Sequence, residues 1–314
     1  MTGHELDLAA LAPLTPEQVH CLIVAADRYP VGEVDRDANI ATAVTTRCPT
    51  APALAPTDVA THLVTLAAGM TTPFHKYSLF AQVFPDRWFT FMNYGWRPPE
   101  SLAVVEAFGA SAQRLYERVV AGHSLVDRDV LEIGCGRGGG AAWIARTQAP
   151  RTVVGSDGTN SNVLFCRSAH AAPGLSFEHA LAERLPFADA SFDAVVNVES
   201  CKYYRPFGAF ADGVHRVLRP GGALAVAYFG PPEIVDRIAD RIAWTGLLQR
   251  DREDLTEGVR AALAASRRDL ATALADQVTV RERAHYLDFF SAVYATTALE
   301  PGRSRYVRFV FRKP

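Results

Sequence analysis

The sequence predicts an α/β fold: a mostly parallel sheet whose last strand is antiparallel, with helices on both faces and a helical cover. Three observations predict it. From Asp129 onward, apolar runs of strand length alternate with helix-like stretches, the pattern of a parallel sheet. The first run, Val130-Leu131, passes through Glu132 into Gly134-Cys135-Gly136-Arg137-Gly138-Gly139, a glycine turn that opens a helix over Ala141 to Ala145. Near the end, Arg305 to Phe311 alternates polar and apolar side chains and reads as a final, antiparallel strand.

The elements follow in order. Thr15-Pro16-Glu17-Gln18 starts a helix with a capping threonine and proline at its first position; Pro30 stops it after about Arg28. Residues 31–56 are polar and proline-punctuated and read as loop or short helical pieces. A second helix starts at Thr57-Asp58, places Val59, Leu63 and Leu66 at helical spacing, and ends by Gly69 and Pro73. An aromatic-rich segment, Phe74 to Trp96, precedes a helix from Ser101 to about Val120. Strands are expected near 129–134, 152–157, 176–179, 193–198 and 222–228. A helix after Pro231-Pro232 reaches about Trp244, Leu247 to Asp251 reads as a short strand, and 255–297 read as helical throughout. This gives an N-terminal helical segment, 1–90, serving as cap or dimer contact, and a second domain, 91–314, with a helical cover over about 254–300.

Composition bounds the function. With 314 residues, 49% of them hydrophobic and 21% charged, the chain can bury a full core. The net charge is −2 and no dense basic tract occurs, which argues against a nucleic-acid partner. Cys21, Cys48, Cys135, Cys166 and Cys201 are scattered without C-x-x-C spacing, so neither a metal site nor a disulfide framework follows. Unpaired thiols suit a reducing cytoplasm. Met1 to Leu14 lacks the basic start and apolar core of a signal peptide, and no apolar run approaches the ~18 residues of a membrane span. A cytoplasmic location is expected.

The glycine turn carries the chemistry. A strand ending in an acid, then glycines, then a helix start makes a pocket for the polar half of a nucleotide-like cofactor. Gly134, Gly136 and Gly139 fit G-x-G-x-x-G, which by itself does not choose the cofactor. Three further features choose. Glu132 would repel a pyrophosphate but suits the cationic ammonium of S-adenosylmethionine. Thr152 to Asp157 reads as the next strand and ends in an acid able to accept ribose hydroxyls; the bland alternative for Asp157 is a solvated strand end. Ala182-Glu183-Arg184-Leu185-Pro186-Phe187, then Ser191-Phe192-Asp193 and an apolar strand, then Arg216-Val217-Leu218-Arg219-Pro220-Gly221-Gly222, follow in series.

That series resembles class I S-adenosylmethionine-dependent methyltransferases, whose sheet is Rossmann-like. More narrowly, residues 75 to 312 resemble the phthiotriol/phenolphthiocerol dimycocerosate methyltransferases and related bacterial natural-product O-methyltransferases. The similar stretches are Val130 to Ala141, Pro173 to Phe177, Asn197 to Ser200, the Arg216 to Gly222 turn, and Phe91-Met92-Asn93-Tyr94-Gly95-Trp96. The resemblance implies S-adenosylmethionine as donor, S-adenosylhomocysteine as product, and a cofactor pocket of Tyr94, Glu132, Gly134, Cys135, Gly136, Gly138, Asp157, Gly158, Ala182, Glu183 and Asn197. Ala182 would offer its backbone to adenine, and Tyr94 and Trp96 would line the methionine end. The side chains of Cys135, Cys166 and Cys201 read as small packing groups.

Two departures stand out. The family's aspartate before the Ala182 position is Leu181 here, and its histidine after Asn-Val-Glu is Lys202. The candidate catalytic residues are therefore Lys202, Glu199, Tyr204, His75 and His285. Lys202 reads as an anchor for an acidic acceptor, a desolvated base, or an ordinary solvated lysine. Glu199 would orient substrate or assist a base, and either histidine of the cover would be the missing base. The expected reaction is O-methylation of a hydroxyl on a small-molecule secondary metabolite, by a bacterial enzyme of natural-product biosynthesis. N- or carboxyl-methylation, and a non-methylating scaffold or cyclase that keeps the donor bound, stay open. A nucleic-acid methyltransferase fits poorly, because the fourth strand ends Asn197-Val198-Glu199-Ser200 and not Asn/Asp-Pro-Pro-Tyr.

Overall fold

Strands buried on both faces must be apolar along most of their length, and the central strands here are. The computed structural model describes residues 14–26, 35–59, 62–63, 89–275, 287 and 302–314. Its strands are β1 (Asp129–Ile133), β2 (Thr152–Asp157), β3 (Leu175–His179), β4 (Phe192–Val198), β5 (Leu218–Gly230), β6 (Leu248–Asp254) and β7 (Arg305–Arg312). They form one sheet in the order β3-β2-β1-β4-β5-β7-β6. Only the pairings of β7 are antiparallel. The expected class holds: a mostly parallel sheet with one antiparallel strand near an edge. Chain order reverses between β1 and β4, so the crevice at their carboxyl ends is where such a sheet takes a ligand.

The helices are α1 (Pro16–Ala26), α2 (Arg36–Arg47), α3 (Ala110–Val120), α4 (Gly139–Thr147), α5 (Asn160–Ala169), α6 (Phe207–Val217), α7 (Pro232–Ala243) and α8 (Thr256–Ala273). The chain divides into two compact units. One holds the described residues up to Phe89 together with Thr159–Ala169; the other holds Thr90–Gly158 and His170–Pro314, and with them the whole sheet. In the first unit, Thr15 and Gln18 cap α1 reciprocally: each backbone N–H donates to the other's side-chain oxygen, at 3.1 and 3.2 Å. Cys21 and Cys48 bring their sulfur atoms to 3.3 Å where α1 meets the end of α2.

In the second unit, α6 buries Phe207, Phe210, Ala211, Val214 and Val217, and α7 buries Val235, Ile238, Ala239 and Ile242. Both sets recur every three or four residues, and both helices join the core of Leu131, Ile133, Val195, Leu224, Phe309 and Phe311. The linked sequence motifs are fastened to one another at the amino edge of the sheet. Arg219 pairs with Asp129 at 3.0 Å and with Asp193 at 2.8 Å, and Arg216 donates to the carbonyls of Leu185 and Phe187. Arg151 also binds Asp129 and holds its carboxyl well below the usual carboxylate range.

Within residues 31–56 the helical piece is α2, formed around Ile40, Ala41 and Val44, an apolar stripe among polar neighbours. Two expectations are corrected. The helix expected from Ser101 begins only at Ala110. Gly109 stands in the left-handed region (φ 91°), and Arg97 draws the carbonyls of Ser101 and Val104 to its guanidinium, both at 2.8 Å. β6 runs on to Asp254, and its charged, exposed residues protect a sheet edge from further pairing. β7 also buries a charge. Arg308 is 2% exposed, donates to the Val119 and Ala121 carbonyls at the end of α3, and pairs with Asp251 at 2.6 Å. Of the helical cover, Thr256–Ala273 is helical; most of the remainder lies outside the described residues, as do Leu66, His75 and His285. Among the described residues no helix is long and apolar enough to cross a membrane.

Candidate functional site

The site is built on the turn that follows β1. The N–H groups of Gly134 and Cys135 both donate to the Ser156 carbonyl, at 2.7 and 2.9 Å, which curls the turn over the end of β2. Gly136 N–H donates to Asp157 Oδ2 at 2.8 Å, so the acid ending β2 also shapes the turn. Gly134 sits at φ 71°, and a Cβ there would lie 2.3 Å from Ser200 Oγ and 2.4 Å from the Tyr204 hydroxyl. Only glycine meets both demands.

Glu132, at the end of β1, is 1% exposed. Its Oε1 accepts a 2.5 Å hydrogen bond from Tyr116 of α3, while Oε2 is buried without a hydrogen-bond partner of good geometry. Burial pushes Glu132 up to about 7, against the pull of the Tyr116 hydroxyl and the Ala141 N–H; the charge of Asp157 pushes the same way as burial. Gly140, in the first turn of α4, admits the Tyr116 ring: a Cβ there would lie 2.0 Å from its Cζ. Gly140→Ala must displace that ring and open the Tyr116–Glu132 bond. The expected loss is about 1–3 kcal/mol in denaturant unfolding; an unchanged midpoint would contradict this packing.

A second turn follows β4. Glu199 is left-handed (φ 64°), and Ser200–Tyr203 makes a short 3₁₀ turn. Asn197 donates to the Ile133 carbonyl at 2.9 Å, to Ser200 Oγ at 2.9 Å and to the Tyr204 hydroxyl at 3.2 Å; its carbonyl accepts from Cys201 N–H. Its amide clamps the β4 turn to the β1 turn. The Tyr204 hydroxyl donates to Ser200 Oγ at 2.8 Å and belongs to the same clamp. Glu199 Oε1 accepts from Tyr94 N–H and from the Tyr306 hydroxyl of β7, both at 2.9 Å. Burial pushes Glu199 up to about 7, with both hydrogen bonds and the charge of Lys202 opposing. The Lys202 ammonium lies 3.4 Å from the centre of the Phe229 ring, 4.7 Å from Tyr203 and 5.8 Å from Tyr94. Burial pushes Cys201 up to about 12, which leaves it a packing thiol.

The segment from Thr90 to Arg97 crosses this edge. The Thr90 carbonyl accepts from Gly139 N–H at 3.2 Å, Met92 packs against Gly136, Tyr94 reaches Glu199, and Arg97 N–H donates to the Gly258 carbonyl of α8. Thus Tyr94, Glu132, Gly134, Cys135, Gly136, Gly138, Asp157, Gly158, Asn197, Glu199, Lys202 and Tyr204 gather on the carboxyl ends of β1, β2 and β4. Ala182 and Glu183 stand further along. The Ala182 methyl packs into the core, and Glu183 Oε1 accepts from Arg205 N–H at 2.7 Å. Leu181 is half exposed beside Gly158, 3.4 Å from where a Cβ would stand.

Sequence reasoning missed Tyr116, Tyr306 and Phe229. Phe229 closes β5 and Tyr306 opens antiparallel β7, so both fall on the ligand edge; that signal was available once the strand directions were assigned. Tyr116 has no local signal, because its partner lies in another element.

Residues 131–226 match the family model described as a methyltransferase domain. The fatty-acid O-methyltransferase of Mycolicibacterium smegmatis is 43% identical over 136 residues, 42% of this chain and 50% of that one. The phthiotriol/phenolphthiotriol dimycocerosates methyltransferase of Mycobacterium tuberculosis is 32% identical over 208 residues, 63% of this chain and 77% of that one. The chain belongs to the methyltransferase family. It spans about half the length of the fatty-acid relative. Among solved structures, the [4+2]-cyclase SpnF superposes with a TM-score of 0.60 at 19% identity, covering 77% of this chain and 96% of that one. Geranyl diphosphate C-methyltransferase from Streptomyces coelicolor A3(2) superposes with a TM-score of 0.54 at 17% identity, covering 78% and 99%. At these identities the likeness is one of fold.

Proposed function

We propose that this methyltransferase-family chain transfers the methyl group of S-adenosylmethionine to an oxygen of a small, lipid-like or natural-product acceptor. The observation that carries the reading is Glu132: a buried carboxylate at the glycine turn whose Oε2 has no hydrogen-bond partner of good geometry. A buried acceptor without a donor is costly, and the ammonium of the donor's methionine end supplies one. Asp157, which holds the Gly136 N–H, would accept the ribose hydroxyls. The Asn197–Ser200–Tyr204 clamp fixes the two turns against each other. Tyr94, Phe229 and Lys202 then form the wall on the acceptor side.

When bound, the donor supplies an electrophilic methyl group on a cationic sulfur. The protein's part is alignment of the attacking atom and exclusion of water. Incubation with methyl-labelled donor and an extract of the producing organism should label a small molecule. Label confined to protein or RNA would reject the reading.

Glu132 gives a pH dependence with a definite sign. Its carboxyl titrates near 7 in the folded, unliganded chain, above its usual 4.5. The proton it keeps between those values must leave before an ammonium can pair with it. Affinity for S-adenosylmethionine is therefore expected to fall as pH drops below about 7, by up to about tenfold per unit. In the unliganded chain the same shift makes Glu132 stabilising at low pH, a contribution lost as pH rises through about 7. Calorimetry across this range should show the slope in the wild type and a flat profile in Glu132→Gln; equal slopes would remove Glu132 from the ammonium site.

A second reading, in which the donor is held and not consumed, is favoured by one observation: Lys202 stands where an alcohol acceptor would need a base. Formation of S-adenosylhomocysteine separates the two readings.

A further inference from the structure

We infer that Cys21 and Cys48 form a reversible oxidation site: a small peroxide joins them in a disulfide that ties α1 to the end of α2, and a thiol reductant opens it. Both are thiols in the structure. Their sulfur atoms lie 3.3 Å apart although 27 residues separate them in the chain.

The contact is held from both sides. Cys21 lies within α1, and Leu22 and Ala25 of the same helix are buried. Gln18, one turn earlier, donates from its side-chain amide to the Pro52 carbonyl at 2.8 Å, which fixes α1 against the chain just beyond Cys48. Cys48 follows α2 directly. Its N–H donates to the Val44 carbonyl at 2.9 Å, and its own carbonyl accepts from Ala51 N–H at 3.1 Å. Neither sulfur has to travel to meet the other, and atoms held in contact react far faster than atoms that must find each other.

Burial selects the oxidant. Cys21 is 7% exposed and Cys48 2%. A small neutral peroxide enters where a bulky disulfide does not. A solitary thiol that reaches the sulfenic acid can go on to the sulfinic acid, whereas a second thiol at its side condenses with it instead.

The steps balance. The Cys21 sulfur, as thiolate, attacks one peroxide oxygen, and the O–O bond breaks. A sulfenic acid forms, and the other oxygen leaves as water with the thiol's proton. The Cys48 sulfur then attacks the Cys21 sulfur. The S–S bond forms, the S–O bond breaks, and the hydroxide leaves as a second water with the Cys48 proton. Two thiols are oxidised and one peroxide is reduced.

The test treats the whole chain, freed of reductant, with hydrogen peroxide, then quenches, denatures, alkylates and digests it for mass spectrometry. Alkylatable thiols should fall from five to three, the five cysteines less the joined pair. One species should join the peptides of Cys21 and Cys48, and dithiothreitol should restore all five thiols. Amide exchange in α1 and α2 should slow by about 30-fold or more in the oxidised chain, the low end of what such a crosslink confers, and not in Cys21→Ser or Cys48→Ser treated alike. The peptide map is read on the wild type, so it decides even where a variant fails to fold. Five alkylatable thiols after peroxide, a link through Cys135, Cys166 or Cys201, or Cys21 carried to sulfinic acid without a link overturns the inference. A Cys21–Cys48 link that leaves exchange in α1 and α2 unchanged overturns the tie.

Discussion

Asp157→Ala is expected to lose at least about 100-fold in affinity for S-adenosylhomocysteine while the sheet stays folded. Two effects add. The first is the loss of charge-assisted hydrogen bonds to the ribose hydroxyls, each about twice as strong as a neutral one. The second is local: Asp157 Oδ2 holds the Gly136 N–H at 2.8 Å, so its removal loosens the turn that meets the ligand. Asp157→Asn separates the two, because its amide oxygen still accepts from Gly136 but carries no charge. It should recover part of the affinity, about 10-fold relative to alanine. Titration calorimetry checks both variants, and wild-type affinity in Asp157→Ala would take Asp157 out of the site.

Arg97→Ala carries the largest expected effect on stability. The Arg97 side chain is fully buried, and its guanidinium pairs with Asp269 at 3.1 Å and Glu106 at 3.3 Å. It also donates to the Ser101 hydroxyl and to the Ser101 and Val104 carbonyls. It thereby fastens the segment before α3 to α8. Removing one partner of a buried pair leaves the other charge uncompensated, at a cost of about 3–5 kcal/mol. Arg268 and Arg114 remain beside Asp269 and Glu106, which places the expectation at the lower end of that range. Replacing Arg97 by Met together with Asp269 by Leu should recover much of the loss in denaturant unfolding. A single variant as stable as wild type would mean the pair does not anchor α8.

The contrast between these residues shows what a sequence displays. Asp157 and the glycines were legible because a strand end and a turn are local features, and periodicity locates them. The parallel sheet was legible for the same reason: β1, β2, β4 and β5 are short apolar runs bounded by turn residues. Arg97 gave no such sign. Its burial depends on Asp269, 172 residues later, and the same guanidinium delays the start of α3. Arg308 satisfies the last carbonyls of α3, a partnership that its place in an alternating strand does not display. Glu132 was expected in the pocket, but its bond to Tyr116, and the lack of a partner of good geometry at its Oε2, depend on α3 packing over β1. The clamp built on Asn197 likewise exists only once the β1 and β4 turns lie side by side.

The four linked motifs acquire a physical reason in the structure. Arg216 holds the backbone around Leu185 and Phe187, and Arg219 joins Asp193 to Asp129. These contacts sit away from the ligand edge and set the relative positions of the strands that carry it.

If the turn after β1, with Glu132 and Asp157, holds a sulfonium donor, a crystal of the chain soaked with S-adenosylhomocysteine will show density over the glycine turn, with the ammonium at Glu132 Oε2 and the ribose hydroxyls on Asp157. Density elsewhere, or an empty crevice at saturating concentration, would contradict it.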